Sequence, residues 1–413
     1  VVPDTTTFIL MDVSRLLSRG QVTSPTGIDR VEMAYARYLM SEKSRFLAFT
    51  AVNQWGQIGL LPFNRTAIFI RALEAIWRGS PDRSRSRYQR FVQQFNRRIA
   101  LYGYFHGDKH LRNTISKRHE LIYLLVSHHH LDRELSIKRL LRGTGARFIC
   151  LIHDTIPLDF PEFTKRTQIV KHHKRLNNAK RLADAIIVNS ESTKQAIELF
   201  FHGDCPRIVT AHLGIEKLFH LRRNAPPQNH ELYFVCVGTI EKKKNQALLI
   251  EIWQKLRKEL GDQTPNLLLL GQCRRDPESE GLVHYIEQSG DLRPHIRFLK
   301  GLSDQEIVAF IAGARATLLP SYAEGYGLTV PESLALGVPV LCSDLPALRE
   351  VGGNVPEYFD PTDIDGWHSA IHDYAAQESV RRENQLSRLV QWRAPRWEDH
   401  FMVIAPILNG KRF

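Results

Sequence analysis

The run Ser321-Tyr-Ala-Glu324-Gly325-Tyr326-Gly327-Leu328-Thr329-Val-Pro331-Glu332-Ser-Leu-Ala-Leu-Gly337 sets one carboxylate on a glycine-flanked loop and a second in a short helix opening just after it. A helix start exposes unpaired backbone N–H groups and the positive end of a dipole, which suits a phosphate. Gly325 and Gly327, lacking Cβ, allow the backbone to approach such a group closely. Carboxylates do not bind phosphate, so Glu324 and Glu332 are assigned to hydroxyls on either side of it. Hydroxyls flanking a pyrophosphate describe a nucleotide sugar. A structural reading competes: Thr329-x-x-Glu332 has capping-box spacing, Pro331 stands just inside the helix, and Gly337 is a C-terminal stop.

Outward from that run, strand-like and helical patterns alternate. In the N-terminal half the expected strands are 7–11, 46–51, 121–126, 148–152, 185–188 and 208–211, with helices over 27–40 and 192–200. A second set follows at 232–237, 266–270, 296–298, 316–319 and 339–342. Apolar strands alternating with helices predict parallel sheets covered on both faces, whose ligands bind beyond the carboxyl ends of the strands. The chain of 413 residues exceeds one comfortable core. The expected architecture is α/β: two doubly wound, Rossmann-like domains facing a central cleft. Residues 1–220 form the first domain, the polar, proline-bearing 221–230 a linker, and 231–395 the second domain. A terminal helix over 396–413 carries Trp397, Phe401, Ile404 and Ile407.

Composition narrows the class. A hydrophobic fraction of 43% and a charged fraction of 24% fit a globular protein. No apolar run reaches the roughly 18 residues that span a bilayer, and no signal peptide is visible, so a cytoplasmic setting is expected. The five cysteines stand singly, in apolar runs, and read as reduced thiols. Of the net charge of +12, most lies in an insert-like segment, 65–118, with thirteen Lys or Arg against three acids. There Phe91, Phe95, Ile99 and Tyr102 recur at helical spacing beside Arg90, Arg97 and Arg98. Such a helix suits the anionic inner face of the cytoplasmic membrane as a peripheral contact, or else is a solvated face over a core stripe. No nucleic-acid motif accompanies the charge.

Three further strand ends carry candidate chemistry. In Val237-Gly238-Thr239-Ile-Glu241-Lys242-Lys243-Lys244-Asn245, cations at a strand-to-helix turn can neutralise a diphosphate as a sugar–phosphate bond breaks, although lysine triplets are commonly just solvated. In Leu151-Ile-His153-Asp154, a histidine at a strand end can bond a sugar hydroxyl or move a proton, or simply serve the core. Ser24-Pro-Thr-Gly27-Ile-Asp-Arg30 is a glycine turn before a helix, and Val188-Asn-Ser190 is a weaker strand-end candidate. His128, His129 and His130 are expected on a strand, where adjacent side chains oppose one another and make no zinc site. Asp363-Ile-Asp365 has metal-ligand spacing, but reads as a loop in which Asp caps the next helix.

The two glutamates, with seven residues between them and the Glu-Gly-Tyr-Gly-Leu start, resemble the paired-glutamate motif of the family 4 retaining glycosyltransferases. Val237–Asn245 is similar to that family's Gly-Thr-Leu-Glu-Pro-Arg-Lys-Asn pattern, except that Thr239 stands where many members have Arg. His153-Asp154 and the Thr-Gly27-Ile turn also resemble family positions. The resemblance runs roughly from Gly27 to Trp397 and is absent over 65–118. It implies the GT-B architecture, with the terminal helix crossing back to the N-terminal, acceptor-binding domain and the nucleotide sugar in the C-terminal one. Glu332 is then expected on the ribose and Glu324 on the transferred sugar, with Lys244 and Lys243 on the leaving diphosphate and His153 beside the donor sugar. Gly238, Gly325, Tyr326, Gly327, Leu328, Thr329, Gly27 and Asp154 complete the binding set. No metal and no cofactor are expected, the nucleotide sugar being a co-substrate. Bacterial mannosyltransferases of surface polysaccharide are the nearest in pattern, so GDP-mannose leads, UDP- or TDP-sugars follow, and a lipid-linked glycan is the acceptor. An epimerase or a non-catalytic binding protein on the same fold is the alternative from another class.

Overall fold

The computed structural model describes residues 7–22, 24–53, 55–79, 87–95, 120–203, 205–220 and 232–410. The chain divides into two compact units: one holds the residues up to Leu213 together with those from Trp397 on, and the other is Gly214–Arg396.

In the first unit, β1 (Thr7–Asp12), β2 (Leu47–Val52), β3 (Ile58–Leu60), β4 (Glu120–Leu125), β5 (Arg147–Ile152), β6 (Ala185–Val188) and β7 (Arg207–Thr210) form one sheet. Its order is β3-β2-β1-β4-β5-β6-β7, and every pairing is parallel except β2 with β3. All six residues of β1 are buried, as a strand covered on both faces requires. In the second unit, β8 (Tyr233–Val237), β9 (Asn266–Leu270), β10 (Ile296–Leu299), β11 (Thr317–Leu319), β12 (Val340–Ser343) and β13 (Glu357–Phe359) lie in the order β10-β9-β8-β11-β12-β13, all parallel. Strand order therefore reverses between β1 and β4 in one sheet and between β8 and β11 in the other. Two doubly wound sheets are what the alternating pattern predicted.

The differences from the sequence reading are local. The short β3 and β13 were not expected, since three-residue strands leave no readable period. His128–His130 do not lie on a strand: β4 ends at Leu125, and the three follow in a turn. The division falls after Leu213 rather than after 220, because Ile215 donates its N–H to the Pro395 carbonyl (3.2 Å) and Phe219 is buried in the second unit's core. The expected linker, 221–230, lies outside the described residues.

In the basic segment, the helix Phe63–Arg78 buries Phe69, Ile70, Leu73 and Trp77. Residues 87–95 are helical, and Phe95 stacks on Phe69 at 5.0 Å with Phe91 behind it at 5.9 Å. Phe91 and Phe95 thus face the protein, while Arg90 is exposed. Arg97, Arg98, Ile99 and Tyr102 lie outside the described residues.

The terminal helix Trp397–Leu408 packs on the helix Gly27–Glu42. Phe401 stacks flat on Tyr38, with ring centroids 3.7 Å apart and planes within 4°. His400 Nδ1 lies 3.1 Å and 3.0 Å from the Ala211 and His212 carbonyls, so it carries the hydrogen, and Nε2 accepts from the Tyr35 hydroxyl at 2.7 Å. Burial lowers the His400 pKa to about 4, which keeps this bridge neutral. Removing a buried aromatic ring costs about 3–5 kcal/mol. Phe401→Ala should therefore lower the unfolding free energy of the first unit by that order, read as a fall in its urea midpoint. A fluorescence and circular-dichroism melt of matched samples checks it, with the second unit's transition unmoved.

Candidate active site

At a reversal of strand order the connections leave toward opposite faces, so the carboxyl ends of the two strands stay uncovered. In the second unit these ends are Val237 of β8 and Leu319 of β11. After β8 the chain passes Gly238 at φ +149° and makes a short 3₁₀ turn, Lys242–Lys244. It then enters the helix Gln246–Leu260 through Asn245, which is left-handed at φ +55°. Asn245 is held there by donating its side-chain N–H to the Pro361 carbonyl at 2.8 Å. Gln246 ties the turn from inside, donating to the Thr239 carbonyl (3.1 Å) and accepting from the Glu241 N–H (3.4 Å).

The loop after β11 meets this turn directly. Tyr322 donates its N–H to the Lys243 carbonyl at 2.8 Å. The Lys244 ammonium lies 2.5 Å from Glu324 Oε1, with side chains only 19% and 9% exposed. Ser321, fully buried, donates to the same oxygen at 2.7 Å. Two residues 80 positions apart in sequence thus share one charge-assisted contact at the mouth of the crevice. Lys243 pairs with Glu241 at 3.4 Å, and Arg274 holds the other Glu241 oxygen at 3.1 Å. A cationic strip therefore runs along the loop beyond β8.

Glu332 is buried in the helix Thr329–Ala335. Leu328, not Thr329, is the N-cap, and no side chain caps this helix, so the capping-box reading of Thr329 and Glu332 is corrected. The helix ends as expected: Gly337 at φ +81° donates to the Leu334 carbonyl (3.0 Å) and Val338 to that of Ser333 (3.0 Å), a Schellman pair. Of the loop glycines, Gly327 takes the left-handed backbone, at φ +81°, and a Cβ there would strike Leu348. The tight turn belongs to Gly327 rather than to Gly325. Tyr326 is buried. Asp363 caps the helix Ile364–Ala375 through the Gly366 N–H at 2.9 Å, and Asp365 pairs with Lys255 at 3.0 Å. Gly271 is not among the residues expected from sequence. At φ +154°, it lies so close to the Gly238 carbonyl that a Cβ would overlap it. Its position directly after an apolar strand was the available signal.

In the first unit, His153 follows β5 and is buried. Its Nε2 lies 2.8 Å from the Val126 carbonyl and so carries the hydrogen, leaving Nδ1 as acceptor. Its own N–H donates to His128 Nε2 at 3.0 Å, and Asn189 donates to its carbonyl at 3.0 Å. Burial brings the His153 pKa down to about 4 and that of His128 well below the usual range. His153 is thus better suited to accepting a hydroxyl hydrogen bond than to carrying a proton near neutral pH. Asp154 Oδ1 accepts from the Ile156 N–H at 3.2 Å. Gly27 is the first residue of its helix, as expected, behind a capping box of Thr26 and Asp29. Arg15 (2.6 Å) and Arg19 (3.1 Å) both grip Asp29.

Two carboxylates at the reversal in this sheet had no sequence signal beyond lying in apolar surroundings. Asp12, at the end of β1, accepts from the Ser14 N–H (3.0 Å) and the Tyr123 hydroxyl (3.2 Å). Glu32 accepts from the Leu16 N–H (3.3 Å), and both acids are fully buried. Burial raises Asp12 to about 6; burial and the charge of Asp12 raise Glu32 to about 8. They pin the short helix Ser14–Ser18 that carries Arg15.

Residues 220–387 match the family model described as glycosyl transferases group 1. Over 261 residues the chain is 29% identical to the O-antigen chain mannosyltransferase B of Escherichia coli, covering 61% of this chain and 68% of that protein. It is 25% identical over 249 residues to the O-antigen chain mannosyltransferase RfbU of Salmonella typhimurium, covering 57% and 67%. Its structure resembles that of Anabaena HepE in complex with UDP-glucose, with a TM-score of 0.60 over 98% of this chain and 97% of that one, at 12% identity. Residues 220–387 thus match the group 1 glycosyltransferases, and the chain has the GT-B fold of the solved structures it resembles.

The buried acids give a pH test. A carboxyl whose pKa rises from 4.5 unfolded to about 8 folded binds more protons in the native state between those values, so stability falls as pH rises through that window. Histidines with depressed values act oppositely, but below about 6.5. From pH 7 to 9 the wild type should therefore lose stability while Glu32→Gln stays flatter, as read by denaturant midpoints at each pH. Parallel profiles would assign Glu32 an ordinary titration.

Proposed function

We propose that the chain moves mannose from GDP-mannose, with retention, onto a lipid-linked oligosaccharide or polysaccharide in bacterial surface glycan synthesis. The Lys244–Glu324 contact, joining the loops after β8 and β11, is the observation that carries this proposal. It sets a cation for a leaving diphosphate against a carboxylate for the hydroxyls of the transferred sugar. Glu332, buried in the following helix, takes the ribose hydroxyls, while Lys243 and the amides after Gly325 share the diphosphate charge. The relatives named as O-antigen mannosyltransferases support mannose as the sugar. The second unit takes the donor and the first the acceptor, with His153 Nδ1 accepting from a sugar hydroxyl and Asp154 and Gly27 nearby in the binding set.

The chemistry is front-face substitution. The bond from the anomeric carbon to the diphosphate oxygen breaks, and the acceptor oxygen bonds to that carbon on the same face. The acceptor's proton passes to the leaving phosphate oxygen. Lys244 stabilises the charge as it grows, and transferases of this design use such protein cations in place of a metal.

Glu324→Ala and Glu332→Ala should both abolish transfer while the melting curve stays cooperative. Glu332→Ala should also weaken GDP binding by about 1.5–3 kcal/mol, the worth of a charge-assisted hydrogen bond. Lys244→Ala should cut turnover by about 10²-fold or more, and activity should persist in EDTA. Release of labelled mannose from GDP-mannose, with and without acceptor, is the assay. Preference for UDP- or TDP-sugars in a thermal-shift panel would reassign the donor. Hydrolysis or epimerisation with no transfer would favour the other class.

The basic segment is proposed to hold the enzyme at anionic lipid. No helix among the described residues is long and apolar enough to cross a membrane. Because Phe91 and Phe95 pack inward, attachment through the described part of this segment rests on charge, which salt screens over a Debye length of about 8–10 Å. Cosedimentation with anionic but not neutral vesicles is expected, lost at high salt and on changing Arg90, Arg97 and Arg98 to Glu. Equal vesicle binding by wild type and triple variant would return the segment to a solvated face.

A further inference from the structure

We propose that a groove in the first unit, walled by Trp55 and lined by Arg139 and Lys174, binds an acidic glycan. Its volume is about 620 Å³, and its lining also includes Arg133, Leu135 and Arg181. No residue of the Lys244–Glu324 contact or of the His153 cluster takes part.

The groove has a built wall. Between β2 and β3, Asn53 Oδ1 accepts from the N–H groups of Trp55 (3.0 Å) and Gln57 (2.9 Å), and the Gly56 N–H donates to the Asn53 carbonyl (3.0 Å). Arg133 fastens the turn to the start of the helix Glu134–Thr144, donating to the same carbonyl at 3.2 Å. Gly56 has φ +83°, and a Cβ there would sit 2.8 Å from Ser136 Oγ, so the close approach needs glycine. The Trp55 indole is 60% exposed, and Leu135, which lines the same groove, is 80% exposed. A large ring that is 60% exposed gives up much of the burial that aromatic residues ordinarily gain. An indole face is flat and apolar with a polar edge, a match for the C–H face of a pyranose ring.

Charge gives the sign of the ligand. Four cations, Arg133, Arg139, Lys174 and Arg181, line the groove against two acids, Asp132 and Glu134. Arg181 is committed to Glu134 at 3.0 Å, and Asp132 is shared between Lys171 (3.7 Å) and Arg175 (3.9 Å). Arg139 and Lys174 are exposed, and no ion pair among the described residues engages them. A flat aromatic wall, two uncommitted cations and the amide of Asn177 suit a sugar chain carrying carboxylates. The glycan identity rests on the transferase reading above; the groove would hold a segment of the acceptor away from the reacting end.

The test is isothermal titration calorimetry of the full chain with a hexasaccharide of uronic acids, no donor being present. Binding measured this way reports on the groove alone, and failure of the transferase reading would show only in the transfer assay. Wild type should bind this probe about tenfold more tightly than a neutral mannohexaose, and either Trp55→Ala or the pair Arg139→Glu and Lys174→Glu should weaken it by about tenfold. Trp55→Phe, which keeps a ring, should stay within about threefold of wild type and shows that loss in the alanine variant is not misfolding. No heat with the acidic probe, equal affinity in wild type and both disruptive variants, equal binding of the neutral chain, or tighter binding of a single-stranded hexanucleotide would overturn the proposal.

Discussion

A parallel sheet covered on both faces must send its connecting helices out in two directions, and where strand order reverses the two connections diverge. At β8 and β11 this leaves adjacent strand ends bare, and every polar feature of the second unit's site follows from what the chain does there. Lys244 can reach Glu324 because the strands that carry their loops are hydrogen-bonded neighbours, although 80 residues of chain lie between them. The glycines serve the same end. Gly238 and Gly271 finish neighbouring strands with backbones so close that Gly271 has no room for a side chain, which brings the loops together at their roots.

The first sheet repeats the geometry with different chemistry. At its reversal, between β1 and β4, two acids are taken out of water and held by backbone N–H groups and a tyrosine hydroxyl. Burying ionisable groups is costly unless they stay neutral or paired, and here the environment favours the proton. Their service is local: the short helix Ser14–Ser18 after β1 is set so that Arg15 meets Asp29 at the start of the next helix. One unit thus places a fixed, buried anchor at its reversal, while the other places an exchangeable ion pair.

The sheets were legible because apolar runs of four to six residues between helical patterns admit few other readings. β6 and β9 fall on their expected residues, 185–188 and 266–270. Three-residue strands and turn positions were not legible: β3 and β13 are too short to show a period, and His128–His130 look like a strand continuation only until β4 is seen to stop at Leu125. In the candidate site, residue types that stand out in sequence were found, such as the lysines and the glutamate pair. Residues whose role is purely spatial were not. Gly271 matters through a neighbour 33 positions away, and Glu32 looks like any helical glutamate until the fold encloses it. The capping box of Thr329 failed because the chain entered that helix one residue early, at Leu328.

The helix Trp397–Leu408 completes the unit that opens the chain, yet all of Gly214–Arg396 is synthesised in between. At roughly 5–20 residues per second, the second unit's synthesis alone keeps the faces of Tyr35 and Tyr38 waiting on the order of ten to forty seconds for Phe401 and His400 to emerge. During that interval the nascent first unit presents an aromatic patch to the ribosome surface and to any holdase within reach. Translation speed through the second unit thereby becomes a determinant of how much of the first unit survives to be closed.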